Sequence, residues 1–548
     1  MELTPEKRFL KCDRALFRIF VALTILFLQA SIFASADESK PAITLSWYGK
    51  TNYESFNALP QIKKVTSNKE LTESVSKAKS YISEKVFSGL KGKFSSKPLA
   101  WKLLNSDFVF LSWPSRGKDD SPEGWALAIK NADVNDFMLG EAAHRLGIGL
   151  DGLKSDSSEA AAGVVESKVV GEKIWRLGRF NDWLHLSSFN KSVSPKFIPE
   201  LKIANALTVA DEKAKGGRLM LLNADANRLP FLKMLFLDVG DSNLPVISVE
   251  GKIKNENIRI DGYFDFDQPL DISLSDWKLP ESTLRDPVTG FTAIRGLKSI
   301  VKGFNKEVAD VMPETDQMIV ATEFHGQFSF VMRWFLPVDE LRSNFDKSKN
   351  GISEVIGKFL SKSPFGRLSF NEEEPRLSWA GLPIIVPYLT GLDLKDDGNF
   401  LEIGFLPLKT KERKPVPQAL LDQVTKSDNV IFYDWELTPQ RALTISSLVN
   451  VYEILNYTTL IRTPGSAIGK NSPSPPNPQS AMKIIKALTN VSGNTVTQIQ
   501  KESPTRWKFQ KTSKLGLGSF EIVALSRFLS IPEIAGPLHI QSKPKKGK

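Results

Sequence analysis

Strict alternation of side chains near the middle of the chain restricts its fold more than any other feature. Over residues 258–267 an apolar residue or glycine takes every second position, and Arg, Asp or Tyr takes each position between them. Successive side chains of a β-strand point to opposite faces, so this segment predicts a strand with one buried and one solvated face. Residues 246–253 are typical of another strand, and the Asn-Glu-Asn at 255–257 favours a turn. The pattern predicts an antiparallel hairpin.

The size of the chain indicates more than one domain. Its 548 residues exceed one ordinary hydrophobic core. Hydrophobic residues make up 41% and charged residues 24%, which is typical of a globular protein. The net charge is +10, and residues 501–548 hold ten Lys or Arg against three Glu. We expect this basic C-terminus to contact anionic surfaces. No dense basic stripe with interleaved aromatic residues occurs, so nucleic acid is not an expected partner.

The N-terminus has the three parts of a secretory signal peptide. Five basic residues precede an apolar run at 19–28, and the small-x-small sequence Ala34-Ser35-Ala36 follows. We therefore predict a signal peptide at residues 1–36 and export to a bacterial periplasm. The alternative is an uncleaved anchor in the inner membrane, although the run is shorter than the roughly 20 residues that span a bilayer. Cys12 is the only cysteine, so the mature chain would have no disulfide, which favours a periplasm over a eukaryotic extracellular space.

We predict an N-terminal strand and an amphipathic helix within residues 37–105. Residues 43–48 are typical of a short strand. Ser67 and Glu70 have the spacing of a capping box, and apolar residues follow at helical spacing from Leu71 to Val86. We interpret this helix as covering a sheet; the alternative is a helix on a membrane surface.

Two segments share one order of predicted elements, which indicates an internal duplication. Repeat unit 1 spans residues 106–244 and repeat unit 2 spans residues 313–462. The predicted strands are 125–129, 183–189 and 218–222 in unit 1, and 328–335, 400–406 and 429–434 in unit 2; the helices are 132–144 and 224–237, then 337–345 and 438–455.

The remaining segments complete the predicted organisation. Residues 245–312 form a central hairpin and connector, with a helix predicted at 291–304 from apolar residues at helical spacing. Residues 463–479 are a proline-rich linker. Residues 480–548 form a small basic α+β subdomain with helices at 481–489 and 520–529 and strands at 496–500 and 507–510. The predicted fold is therefore α+β: two related units of mostly antiparallel sheet with packed helices, plus this C-terminal subdomain.

Motifs for catalysis and nucleotide binding are incomplete. Ser188-x-x-Lys191 and Ser427-Asp428-Asn429 match two signatures of serine β-lactamases, but the Lys-Thr-Gly signature is missing and Ser188 lies in a predicted strand. Residues 465–470 resemble a phosphate loop that is one residue short, and Asn471 replaces the Ser or Thr that would bind magnesium. Neither pattern predicts a site.

The metal-ligating residues are equally sparse. The four histidines are His144, His185, His325 and His539, with no His-x-x-x-His pair, so zinc and copper are not expected. Glu323 and His325 could share one strand face, which we interpret as a solvated polar face. Four aspartates at 261, 265, 267 and 271 could bind calcium, but neutralisation by Arg259, Lys252 and Lys254 is favoured. No catalytic, cofactor-binding or metal-ligating residue is assigned.

A group of short motifs carries a resemblance to a known class of proteins. Pro287 precedes residues 291–296, and Leu515-Gly516-Leu517-Gly518 precedes an amphipathic helix. This arrangement resembles large exported bacterial proteins of the domain-of-unknown-function kind. The resemblance implies an envelope location and no catalytic residue.

The sequence thus predicts an exported envelope protein that binds a partner without catalysis, the partner being a protein, a cell-wall polymer or a lipid. Two alternatives stay open. One is a hydrolase whose residues are dispersed across strand ends. The other is a carrier of lipid or another apolar ligand, because 34 Phe and 11 Trp suit either a large sheet core or an apolar cavity.

Overall fold

The computed structural model describes residues 43–48, 52–86, 107–113, 124–130, 165–170, 173–180, 183–190, 218–225, 245–270, 272, 274–297, 313, 315–325, 328–360, 366–381, 386–406, 413–462 and 477–530. Within these residues the chain forms one antiparallel sheet of nineteen strands and eight helices. The architecture is therefore α+β, as predicted.

The strands are β1 (Ile43–Tyr48), β2 (Asp107–Trp113), β3 (Gly124–Lys130), β4 (Val165–Val170), β5 (Lys173–Phe180), β6 (Trp183–Asn190), β7 (Arg218–Asp225), β8 (Val246–Lys254), β9 (Asn257–Asp265), β10 (Val288–Arg295), β11 (Gln317–His325), β12 (Phe328–Pro337), β13 (Arg367–Asn371), β14 (Arg376–Ala380), β15 (Tyr388–Leu394), β16 (Gly398–Gly404), β17 (Val430–Leu437), β18 (Asn494–Ser503) and β19 (Arg506–Ser513). The helices are α1 (Tyr53–Ala58), α2 (Pro60–Ser67), α3 (Lys69–Val86), α4 (Leu341–Leu360), α5 (Gln418–Thr425), α6 (Thr438–Arg462), α7 (Pro478–Thr489) and α8 (Ser519–Phe528).

Every neighbouring pair of strands in the sheet is antiparallel. From one edge to the other the order is β4, β5, β6, β3, β2, β1, β7, β8, β9, β19, β18, β17, β10, β11, β12, β16, β15, β14, β13. The strands of the predicted C-terminal subdomain, β18 and β19, lie between β17 and β9 and are hydrogen-bonded on both sides. That segment is thus built into the common sheet.

The predicted central hairpin is confirmed as β8 and β9. Asn255 and Glu256 form its two-residue turn, with φ of 50° and 59°. Two positive φ angles match the right-handed twist of the flanking strands. Ile258 and Phe264 are buried, whereas Arg259 on the alternate face is only half-buried. The alternation in the sequence therefore identified the buried face and the half-buried face of β9 correctly.

The strands around β11 are buried on both faces. Met318 and Val320 belong to a first core that contains Phe345 of α4 and Leu448 of α6. Their neighbours Ile319 and Ala321 point the other way, into a second core. That second core also holds Leu279 and Leu284 of the segment before β10 and Leu421 and Val424 of α5. The sheet thus has two covered faces in this region, here called the first face and the second face.

Three late helices form a further apolar cluster with one early helix. The cluster includes Ala442 of α6, Ile485 of α7 and Ile522 of α8, all fully buried. Leu71 of α3 packs into the same cluster, and Glu70 forms an ion pair with Lys483 of α7 at 3.2 Å. Residues far apart in the chain are therefore joined in one helical layer.

Most predicted strands and helices are found within the described residues. The predicted strands correspond to β1, β3, β6, β7, β8, β9, β12, β16, β17, β18 and β19, and the helices to α3, α4, α6, α7 and α8. The signal region, the predicted helices at 132–144 and 224–237 (beyond Asp225), and linker residues 463–476 lie outside the described residues. No helix within the described residues is long and apolar enough to cross a membrane.

Two local predictions are wrong. The helix predicted at 291–304 is strand β10 at its start, and every residue of that strand is buried. A strand buried on both faces need not alternate, so its apolar spacing imitated a helix. The predicted capping box at Ser67 is also wrong, because α2 ends there. Asn68 caps α3 instead, and its Oδ1 accepts a hydrogen bond of 3.0 Å from the Leu71 amide.

Candidate functional site

A half-buried polar surface covers the middle of the sheet on its second face. Cross-strand neighbours share a face; two rows of polar neighbours run across β18, β19, β9 and β8, and a third runs across β19, β9, β8 and β7. We call this surface the central polar face; its residues are Gln498, Gln510, Asp261 and Glu250 in the middle row, Gln500, Lys508, Tyr263 and Ser248 in one flanking row, and Thr512, Arg259, Lys252 and, on β7, Arg218 in the other. The solvated side of the predicted hairpin is therefore one part of a wider surface.

Asp261 is the centre of hydrogen bonding on this face. Its carboxylate accepts a hydrogen bond of 3.1 Å from Gln510 Nε2 and one of 2.8 Å from Arg259 Nε. Lys252 Nζ lies 2.9 Å from the other carboxylate oxygen. Burial would raise the pKa of Asp261, but the hydrogen bonds and charges of Lys252 and Arg259 outweigh burial and hold this pKa below its ordinary value. Asp261 is therefore a stable anion with internal partners.

The rest of the face is held by further ion pairs. Arg218 Nε lies 2.6 Å from Glu250. Beyond the row of Tyr263, Arg506 stacks on the Tyr263 ring at 4.1 Å and lies 3.4 Å from Asp265. The side chains keep from about a fifth to nearly half of their surface exposed. The face can thus contact a polar partner.

The predicted neutralisation by Lys252 and Arg259 is found at Asp261, whereas Asp265 is paired with Arg506 of β19 instead. Asp267 is exposed, and Asp271 lies outside the described residues. Among the residues that the structure describes, no group of three or more His, Cys, Asp or Glu is arranged to hold a metal ion.

A buried cluster of charges joins four strands on the second face; we call it the Arg333 cluster. Arg333 of β12 donates to Glu323 of β11 and lies 3.8 Å from Glu402 of β16. The phenol of Tyr388 on β15 donates to Glu402 as well. Arg333 also donates a hydrogen bond of 3.0 Å to the carbonyl oxygen of Thr283, which ties the segment before β10 to the sheet. The cluster therefore fastens strands and connector together.

The ionisation of the Arg333 cluster follows from this arrangement. Burial would lower the pKa of the Arg333 guanidinium, but the charges of Glu323 and Glu402 outweigh burial and raise this pKa. Burial and the neighbouring Glu402 charge raise the pKa of Tyr388, so the phenol stays protonated as a donor. The solvated face expected for Glu323 and His325 is wrong, because Glu323 is 1% exposed and a register shift separates the two residues.

A second buried cluster lies on the first face; we call it the Glu436 cluster. Arg441 in the first turn of α6 is bonded to Asp434 at 2.5 Å and to Glu436 at 3.2 Å. Its other terminal nitrogen donates to Thr292 of β10 at 2.8 Å. The Ser519 amide donates to Glu436 at 2.7 Å. Burial raises the pKa of the Glu436 carboxyl, as does the charge of Asp434, whereas Arg441 and the Ser519 donors act against them.

The N-termini of two helices contribute hydrogen-bond donors to the Glu436 cluster. Ser519 is the first residue of α8, and Thr438, the first residue of α6, donates its hydroxyl to Glu436 at 3.0 Å. A carboxylate at a helix N-terminus accepts bonds from otherwise unpaired groups and faces the positive end of the helix dipole. Gly516, shortly before α8, has φ of 74°, a left-handed conformation that favours glycine. The cluster thus docks both helices onto β17.

The incomplete catalytic motifs are not adjacent in the sheet. Ser188 lies within β6, whereas Ser427 precedes β17, and eight strands separate β6 from β17 in the sheet order. Lys191, the phosphate-loop segment 465–470, His144 and His539 lie outside the described residues. Sequence reasoning missed both buried clusters, because their members come from distant segments and only burial of the charged residues would have revealed them.

Comparison of the chain with protein-family models, with characterised proteins and with solved structures gave no match. The resemblance to exported bacterial proteins of the domain-of-unknown-function kind therefore stays a prediction, and the site must be interpreted from its own geometry.

Proposed function

We propose that this chain is a non-catalytic binding or scaffold protein of the bacterial cell envelope, built from two copies of one folding unit that meet at the central polar face. The observation that carries the proposal is that the charges brought together are either matched in buried clusters or spread over one broad half-exposed surface. Matched charges in buried clusters stabilise the fold, and a broad half-exposed polar surface can contact a partner.

The order of strands supports the two-copy proposal. Followed from the β4 edge, the first nine strands are β4, β5, β6, β3, β2, β1, β7, β8 and β9. Followed from β14 near the opposite edge, the next nine are β14, β15, β16, β12, β11, β10, β17, β18 and β19. In both series the strands occupy the same places in the sheet when they are numbered by their order along the chain. β13 is the one strand left over.

Local irregularities support the same equivalence. β7 and β17 are both eight residues long, and each has a register shift between its first and third residues, Arg218 and Met220 in one and Val430 and Phe432 in the other. A β-bulge at one position is a specific feature of a strand pair. A bulge at the same position in two strands is more readily explained by descent from one ancestral unit than by chance.

The two copies would be related by a two-fold axis between β9 and β19. Both hairpins end in a two-residue turn, and Asp261 follows the turn at the same distance as Gln510 does. These two residues pair directly across the ladder. An axis through this pair lies at the middle of the central polar face, so a partner would meet a surface to which both copies contribute.

The buried clusters support a role without catalysis. The side chains of Glu323, Arg333, Glu402, Glu436 and Arg441 are each less than a tenth exposed. A catalytic acid or base must reach its substrate. The envelope location rests on the basic N-terminus, the apolar run and the Ala34-Ser35-Ala36 sequence.

Photo-crosslinking of the full chain in its host tests the proposal. A benzophenone amino acid replaces Lys508 on the central polar face, and a matched variant carries it at Lys395, an exposed lysine between β15 and β16. We expect an adduct with an envelope component from position 508 and not from position 395. Digestion with lysozyme, lipid extraction and proteolysis then distinguish cell-wall polymer, lipid and protein.

Two results would overturn the proposal. One is equal labelling at both positions, which would indicate random collision. The other is turnover of sacculi or lipid by the purified chain, which a protein that only binds would not show.

A further inference from the structure

The strand β13 lies at one edge of the sheet and has a single neighbour. Among the described residues it pairs only with β14, from Arg367 opposite Ala380 to Asn371 opposite Arg376. An edge strand has unpaired backbone N–H and C=O groups along one side, which is a template for another strand. Among the strands that the structure describes, β13 is also the one without a counterpart near the β4 edge.

An exposed aromatic residue marks this edge. Phe370 keeps 40% of its surface exposed, one of two large apolar residues so exposed among those described. Its ring lies 6.2 Å from the Phe345 ring of α4, and Lys349 Nζ lies 4.5 Å above it. Helix α4 therefore stands over the edge, and a strand added to β13 would cover the open side of Phe370.

The charges on this edge are self-complementary. Arg367 begins β13, and Glu372 and Glu373 follow it in the turn to β14. No ion pair joins Arg367, Glu372 or Glu373 to another described residue. Antiparallel pairing of β13 with β13 would bring Arg367 of each copy to the acidic turn of the other. Parallel pairing would instead place like charges together.

We propose that a second copy of this chain binds here, with the two β13 strands antiparallel and centred on Ser369. Ser369 then faces its own equivalent, Arg367 faces Asn371 of the second copy, and Leu368 faces Phe370 of the second copy. The contact is isologous, because the same surface serves both copies. It does not depend on the proposed envelope function.

The expected dimer is weak and exchanges rapidly. Stable interfaces bury roughly 1,200–2,000 Å² in total, and pairing of two five-residue strands with one phenylalanine each covers less. We therefore expect a monomer–dimer equilibrium that shifts toward dimer as the protein concentration rises.

Disulfide trapping tests both the contact and its register. In a full chain with Cys12→Ala, Ser369→Cys places two thiols across the proposed axis, where directly opposed Cα atoms lie about 4.5–5.5 Å apart; a disulfide spans such a distance. The matched control is Asn371→Cys, on the same exposed strand, whose two copies would lie about 13 Å apart along the strands. We expect mild oxidation to give a covalent dimer from Ser369→Cys at least ten times faster than from Asn371→Cys.

Sedimentation of charge-reversal variants gives an independent readout. Arg367→Glu and the pair Glu372→Lys with Glu373→Lys should each abolish the concentration-dependent dimer, and an equimolar mixture of the two proteins should restore it as a heterodimer. A wild-type chain that stays monomeric up to several hundred micromolar, or equal trapping at positions 369 and 371, would overturn the proposal.

Discussion

Gln510 donates a hydrogen bond of 3.1 Å to Asp261 at the point where β19 and β9 pair in the middle of the sheet. Residues nearly 250 positions apart in the chain thus join its two halves. Lys252 and Arg259 neutralise the same carboxylate from β8 and β9. Asp261 is thus bonded to residues of its own hairpin and, through Gln510, to the neighbouring strand β19.

Asp261→Asn should lower the free energy of unfolding by about 1 kcal/mol at pH 7, a modest value because the site is partly exposed. The pKa of Asp261 is lowered in the folded state, so its contribution is present above the unfolded pKa and is lost as the pH falls through the folded pKa. The difference between the variant and the wild type should therefore shrink toward zero as the pH falls through the lowered pKa of Asp261. Urea unfolding at several pH values measures it, with Asp393→Asn as an exposed control.

Arg333→Met should destabilise the fold by about 3–5 kcal/mol, because it leaves Glu323 and Glu402 buried without their counter-charge. Adding Glu323→Gln and Glu402→Gln to this variant should recover a large part of the loss. Chemical denaturation of the single and triple variants measures both steps. A triple variant that is less stable than Arg333→Met would show that the carboxylates are not the source of the loss.

Ser519→Ala should cost about 1–3 kcal/mol, since the hydroxyl that it removes is one donor to the fully buried Glu436. Hydrogen exchange should then rise first in α8, whose N-terminus this serine fixes. Ser282→Ala, at an exposed serine that bonds Asp397, is the matched control and should cost less. Equal losses in the two variants would contradict the docking role of the Glu436 cluster.

Export should remove the first 36 residues. We expect the chain recovered from the periplasm to begin at Asp37, which intact-mass measurement detects. Retention of Met1 in a membrane fraction would instead support the uncleaved anchor.

The strand β9, which has one solvated face, could be predicted from its sequence, whereas the fully buried strand β10 could not. Alternation at 258–267 identified β9 because one of its faces meets solvent. β10 gave a misleading helical spacing because all eight of its residues are buried. The place of β18 and β19 beside β9 depends on pairing between distant segments, which no local pattern reports.

The candidate site shows the same limit. Asp261 could be assigned to a neutralised surface because its basic partners Lys252 and Arg259 lie nearby in the sequence. The Arg333 cluster could not be predicted, since Glu402 comes from a distant strand. The charged residues of the Glu436 cluster are close in sequence, but its partners Thr292 and Ser519 are distant, and no local pattern reported the burial of Glu436.

The register between β9 and β19 is the most direct test of how the two series of nine strands meet. Three double-cysteine variants in a Cys12→Ala chain probe it: Asp261 with Gln510 on the axis, and Arg259 with Thr512 and Tyr263 with Lys508 as the two symmetry-related flanking pairs. The account predicts an intramolecular disulfide from all three, and a much slower one from the shifted pair Asp261 with Lys508. Efficient bonding of the shifted pair, or of only one flanking pair, would contradict it.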